Sequence, residues 1–247
     1  MRPDFEIPDA GVRLYCGDCA KVQPHLAAGS VAAIVTDPPY GTDPTGRGYG
    51  RHGGGKGRDY RGCEKRSIAN DKDQSALAGM AAWQDCLKPD AWVIAFCGSS
   101  TRLESAQVLL ESGLAYYGEF VWFKLAIGLG TGIRYAHESA QVFTRGSPRK
   151  TYSCSSVIQS LQRRLPFHPH EKPVEIMREL VQFAAAPGQL VLDPFMGTGA
   201  TGRACIQLGR PFIGVELDRR YFDRACDMLA QEWQQKAATG PLLSMFA

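Results

Sequence analysis

A strand, a glycine turn, a helix and a second strand follow one another between Leu190 and Glu216, and few folds accept that run. Leu190-Val191-Leu192 leads into Asp193-Pro194-Phe195-Met196-Gly197-Thr198-Gly199-Ala200-Thr201-Gly202. An Ala-rich helix is predicted as far as Leu208, and Phe212 to Val215 reads as the next strand, ending at Glu216. Glycines 197, 199 and 202 satisfy the spacing G-x-G-x-x-G between strand and helix, which lets backbone approach a nucleotide-like cofactor closely. Glu216 lies 14 residues beyond Gly202, where an acid is placed to accept hydrogen bonds from ribose hydroxyls. Glycine spacing alone suits a dinucleotide equally well. Asp193 argues against one, because a carboxylate beside the glycines repels a pyrophosphate but pairs with the α-ammonium of a methionine moiety.

The rest of the chain alternates in the same way, with β-branched or aromatic runs, Gly or Pro punctuation and helix-period stretches, so the fold class is α/β. Strands are predicted at Val12 to Cys16, Val31 to Thr36, Ala91 to Phe96, Tyr116 to Phe123, Ser139 to Phe143, Leu190 to Leu192 and Phe212 to Val215. Most are apolar throughout, as strands covered on both faces are. A helix is expected from Val174, with Pro173 in its first turn and Pro187-Gly188 as its stop. Another follows Asp218 as N-cap, and the tail from Thr239 is expected to fray. Residues 1–247 are read as one domain, with a glycine-rich basic insertion at 41–66 and an irregular segment at 144–170.

The net charge of +3 excludes little, but its distribution is uneven. Gly41 to Arg66 holds seven Lys or Arg against three acids, and Thr144 to His170 holds five basic residues and no acid. Such stretches suit phosphates or a solvated loop surface, and Arg47, Arg51, Lys56, Arg58, Arg145, Arg149, Lys150, Arg163 and Arg164 are the candidate phosphate contacts. No apolar run is long enough for a membrane span and the N-terminus has no apolar signal core, so a cytoplasmic protein is expected. The eight cysteines fit buried apolar positions in a reducing compartment. Cys16-Gly-Asp-Cys19 has the gap of a zinc knuckle, but no second pair follows and His168-Pro-His170 is remote in sequence, so no metal site is expected.

Asp37-Pro38-Pro39-Tyr40 follows the apolar run AAIVT and so falls just past the carboxyl end of a strand, where doubly wound sheets bind ligands. The two prolines remove two backbone donors, and the turn presents acceptors: the Asp37 carboxylate and carbonyl oxygens. An amino group with two N–H donors is the natural guest, and Tyr40 offers a flat face for a base.

Together, Asp37-Pro-Pro-Tyr40 and Asp193-Pro-Phe-Met-Gly-Thr-Gly199 resemble the amino-methyltransferase family of bacterial and phage DNA methylases. The catalytic motif precedes the cofactor motif, as in the circularly permuted beta class. His168-Pro-His-Glu-Lys-Pro173 and Leu14-Tyr-Cys-Gly-Asp18 are similar to two further segments of the family. The resemblance implies a Rossmann-like seven-stranded methyltransferase sheet with one antiparallel strand near its edge, S-adenosylmethionine as cofactor and double-stranded DNA as partner, and is compatible with a homodimer. Carried over, it implies that Asp37, Pro38, Pro39 and Tyr40 are catalytic, with Asp37 also near the cofactor. Asp193, Phe195, Gly197, Thr198 and Gly199 then line the methionine and ribose, Glu216 the ribose, Asp18 the adenine amino group, and Lys172 the carboxylate end. Trp122 reads as core and Glu138 as a partner of Arg134, so neither joins the catalytic set.

Asp37 in place of serine favours N6 of adenine over N4 of cytosine, an association that comes with the resemblance. An RNA or protein-glutamine methylase presents a similar motif, but the order of motifs points away from both. A catalytically idle DNA-binding protein is disfavoured by intact Asp37 and Asp193.

Overall fold

The computed structural model describes residues 1–39, 82–99, 101–125, 134–161 and 171–244, and among them nine strands form one sheet. The strands are β1 (Phe5–Ile7), β2 (Val12–Cys16), β3 (Val31–Thr36), β4 (Leu87–Cys97), β5 (Ala115–Phe123), β6 (His137–Arg145), β7 (Val157–Gln159), β8 (Val191–Asp193) and β9 (Phe212–Glu216). Their order across the sheet is β1-β2-β9-β8-β3-β4-β6-β5-β7. Only β1 and β6 run antiparallel to their neighbours. The seven strands from β2 across to β5 form the expected Rossmann-like sheet, with β6 as the reversed strand next to its edge. The seven predicted strands are all present, and the short β1 and β7 extend the sheet on either side.

Among the described residues, five α-helices flank the sheet: α1 (Cys19–Val22), α2 (Arg102–Glu111), α3 (Val174–Ala184), α4 (Ala200–Leu208) and α5 (Arg219–Ser244). Every residue of β3 is buried, because its side chains alternate between two cores. Ala33 and Val35 pack with Ile176 and Leu180 of α3, Ala204 of α4 and Leu229 of α5. Ile34 points the other way, toward Val22 of α1 and Leu109 of α2. In α3 the buried residues Ile176, Met177, Leu180, Val181 and Ala184 recur at the helical period and form its inward stripe. Asp218 accepts the Arg220 N–H at 2.9 Å at the start of α5, as expected of an N-cap. That helix does not fray at Thr239. It runs on to Ser244, and the Thr239 hydroxyl donates back to the Gln235 carbonyl at 3.0 Å.

The connections fix where a ligand can bind. From β8 the chain passes through α4 to β9 on one side, whereas from β3 it goes to β4 on the other. β8 and β3 are neighbours, so their carboxyl ends flank the topological switch point of the sheet.

The three spaced glycines do different work. Gly197 and Gly199 hold left-handed φ angles of 54° and 89°, which the turn after β8 requires. Gly202 is helical, and a Cβ there would lie 2.7 Å from Leu229 and 2.7 Å from Phe212. It serves close packing of α4 against α5 and β9. Gly202→Ala is therefore expected to destabilise the fold by about 1–3 kcal/mol through overpacking, outweighing the roughly 1 kcal/mol that alanine gains in a helix. Urea unfolding measures this, and an unchanged or raised midpoint would contradict the packing role.

Candidate active site

The turn after β8 is organised by one carboxylate. Asp193 is 2% exposed. Its Oδ1 accepts the Thr36 hydroxyl at 2.7 Å and the Phe195 N–H at 3.1 Å, and its Oδ2 accepts the Thr201 hydroxyl at 2.6 Å. One side chain thus ties the end of β3, the turn and the first helical turn of α4 together. Burial pushes the Asp193 carboxyl up to about 6, against the opposing pull of the Thr201 and Thr36 hydrogen bonds. The sequence assigned this carboxylate to a cofactor ammonium. In the fold the same carboxylate also holds three protein donors, two on Oδ1 and one on Oδ2.

Glu216, at the end of β9, closes the other side. Its Oε2 accepts the Gly197 N–H at 2.9 Å and its Oε1 the Asp218 N–H at 2.8 Å. Burial pushes its carboxyl up to about 7, and these two backbone donors only partly offset it. A Cβ on Gly197 would meet no atom within 4 Å, so this part of the turn faces open space. Asp18 lies two residues past Cys16, which is paired with Glu216 across β2 and β9. Its Oδ1 caps α1 by accepting the Ala20 N–H at 2.9 Å. Phe195 is half-buried and Thr198 buried. Thr198 hydrogen-bonds Glu171, whose carboxyl burial pushes up. Three carboxylates around a glycine turn suit a cationic adenosyl group better than a pyrophosphate.

Asp37 follows β3 directly, beside this turn, with Pro38 buried and Pro39 half-buried after it. Lys172 Nζ lies 2.5 Å from Asp37 Oδ2 and 3.0 Å from Glu138 Oε2. Lys124 pairs with the other oxygen of Glu138. Burial would lower the Lys172 ammonium, but the Asp37 and Glu138 carboxylates hold it above its ordinary value. Burial would raise Glu138, and Lys172 and Lys124 override it and hold its carboxyl below the usual range.

Asp18, Asp37, Pro38, Pro39, Lys172, Asp193, Phe195, Gly197, Thr198, Gly199 and Glu216 all belong to segments at the carboxyl ends of the parallel strands or, for Lys172, bonded to one of them. Tyr40, Arg47, Arg51, Lys56, Arg58, Arg163, Arg164, His168 and His170 lie outside the described residues. The structure places Arg145, Arg149 and Lys150 apart from the first of these groups. Arg145 pairs with Ala91 at the amino end of β4, and β6 carries it about 26 Å from the catalytic end. Its Nη1 donates to the carbonyls of Gln84 and Leu87 at 2.6 and 2.7 Å. The Arg149 carbonyl accepts the Trp92 indole N–H at 3.3 Å, and Lys150 lies 5.4 Å from the centre of the Tyr117 ring. All three lie toward the end of the sheet opposite Asp37.

Sequence reasoning missed Thr36 and Thr201, and it left Lys124 and Glu138 out of the site. Trp122 is core, as expected. Glu138 makes its ion pairs with Lys124 and Lys172, where Arg134 was the expected partner. The available signal was the hairpin itself: Trp122 faces Glu138 across β5 and β6, which brings Lys124 alongside. Among the described residues no group of three or more His, Cys, Asp or Glu gathers as a metal site, and no helix is long and apolar enough to cross a membrane.

A seven-stranded core with one reversed strand, an acid-lined glycine turn at its switch point and an Asp-Pro-Pro turn beside it define the Rossmann-like methyltransferase class. The chain belongs to the N6/N4 DNA methylase family, whose model matches residues 31–227. It is 30% identical over 231 residues to the YubD protein of Escherichia coli (strain K12), covering 92% of this chain and 95% of that one. The fold superposes on M1.HpyAVI, solved alone and as a complex with S-adenosylmethionine, with a TM-score of 0.66 at 22% identity over 88% of this chain and 98% of that chain. It also superposes on the cytosine-N4-specific PvuII DNA methyltransferase, with a TM-score of 0.67 at 14% identity over 91% and 92% of the two chains.

The buried acids give the fold a pH signature. A carboxyl whose pKa is raised by folding stabilises below its unfolded value and loses that contribution as pH rises through the folded one. For Glu216 the window runs from 4.5 to about 7. Glu216→Gln should therefore gain stability relative to wild type as pH rises across that window. Denaturant titrations at several pH values without cofactor check this. A stability difference that stays constant with pH would contradict it.

Proposed function

We propose that this DNA methylase transfers the methyl group of S-adenosylmethionine to N6 of adenine in double-stranded DNA. The observation that carries the reading is the position of Asp37: at the switch point, directly after the strand whose Thr36 is bonded to the glycine-turn carboxylate Asp193. An adenine amino nitrogen is a poor nucleophile because its lone pair is delocalised into the ring. The Asp37 carboxylate accepts one N–H and the Pro38 carbonyl the other, which draws the nitrogen toward a pyramidal shape. Asp37 also stabilises the positive charge that develops on the nitrogen, so the gain comes from orientation and preorganised electrostatics. The target base flips out of the duplex, at a cost of a few kcal/mol, and stacks on Tyr40.

The cofactor, when bound, supplies an electrophilic methyl on a sulfonium. Gly197 and Gly199 let backbone approach it, Phe195 and Thr198 line it, Glu216 and Asp18 face its ribose and adenine, and Lys172 lies toward the methionine end. The S-adenosylmethionine complex of M1.HpyAVI supports this choice. Arg47, Arg51, Lys56, Arg58, Arg163 and Arg164 supply the phosphate contacts.

The likeness to the cytosine-N4-specific PvuII enzyme favours a second reading, N4 of cytosine. A carboxylate at position 37 accepts more strongly than a hydroxyl, and its presence supports adenine. Purified protein is incubated with unmethylated genomic DNA and S-adenosylmethionine, and the DNA is digested to nucleosides for mass spectrometry. N6-methyldeoxyadenosine is the expected product. N4-methyldeoxycytidine would overturn the base assignment, and no methylated base at all would overturn DNA as the substrate.

A further inference from the structure

Four charges alternate in sign away from the catalytic turn: Asp37, Lys172, Glu138 and Lys124. Lys172 is 6% exposed and lies 4.8 Å from the centre of the Phe96 ring. Its ammonium is shared between two carboxylates from different strand ends. Glu138 Oε2 is buried and meets no donor in hydrogen-bond geometry among the described residues, so its 3.0 Å approach to Lys172 is an ion pair. Lys124 takes the other oxygen and lies 5.1 Å from the centre of the Trp122 ring. The fully buried Trp122 anchors that end of the chain of charges, and its indole N–H donates to the Ser160 carbonyl at 3.1 Å.

We infer that Glu138 is a positioning residue for methyl transfer: it shares the Lys172 ammonium with Asp37 and so sets how strongly, and in what orientation, the Asp37 carboxylate accepts the target amine. This rests on the reading of Asp37 as the acceptor for that amine. An ammonium held by one carboxylate alone lowers its negative potential more than one shared between two. Lys172 lies nearer Asp37, at 2.5 Å, than Glu138, at 3.0 Å, so the negative charge of Glu138 offsets part of the ammonium's pull on Asp37. Without Glu138 that pull falls on Asp37 alone and weakens it as an acceptor for the target N–H. Lys124 acts one step further out, by fixing the Glu138 rotamer and offsetting part of its charge.

Single-turnover rates for Glu138→Gln, Glu138→Asp and Lys124→Met are compared with wild type on unmethylated DNA, with the product nucleoside identified in the same samples. The Glu138→Gln rate should fall at least about tenfold while cofactor and DNA dissociation constants stay within about twofold. Glu138→Asp should recover most of the rate. Lys124→Met should lower it less, and should add nothing in the Glu138→Gln background, because Lys124 acts only through Glu138. A Glu138→Gln rate equal to wild type, or a loss confined to binding, would overturn the inference. If that variant fails to fold, Lys124→Met decides: an unchanged rate overturns the inference and a reduced one with unchanged binding supports it. N4-methyldeoxycytidine as product would displace the adenine assignment and leave the positioning role standing.

Discussion

The hydrogen bond from Thr36 to Asp193 is the contact on which the site depends. It joins residues 157 positions apart in sequence at 2.7 Å. Taking a carboxylate out of water costs several kcal/mol, and such a group persists only where donors surround it. Asp193 has three, from β3, from its own turn and from α4. The residue after Thr36 is Asp37, so the turn that would meet the target base and the turn that would meet the cofactor are held by one side chain. Their relative position is then a property of the sheet core.

Charge arranges the next layer. Asp193, Glu216 and Glu171 bond the glycine turn, and the alternation of Asp37, Lys172, Glu138 and Lys124 lies beside it. A cationic cofactor suits the first set. The second keeps the buried Lys172 charged between two carboxylates. Desolvation strengthens each of these interactions, and it also makes the loss of any one member costly.

Much of this was legible in the sequence because the informative segments are local. Uninterrupted apolar runs such as VAAIVT mark strands buried on both faces, and the glycine turn between strand and helix fixes the side of the sheet where ligands bind. β1 and β7 escaped because each is three residues long and mostly unburied, so neither shows a period. Glu138 and Lys124 escaped because their roles depend on pairing across β5 and β6 with a lysine more than thirty residues away. The antiparallel β6 carries Arg145 away from Asp37, a placement that a charge count along the segment does not reveal. The structural bond of Asp193 to Thr36 was not legible because Thr36 comes from a strand far off in sequence.

The most direct test of the account separates chemistry from cofactor binding at Asp37. Asp37→Asn keeps the shape of the side chain and removes its charge. Single-turnover methyl transfer and cofactor affinity by calorimetry are measured on the same preparation. The account predicts a transfer rate reduced by roughly a hundredfold or more, with cofactor affinity within about tenfold of wild type. A transfer rate above about a tenth of wild type would show that Asp37 is not the acceptor on which the reaction depends.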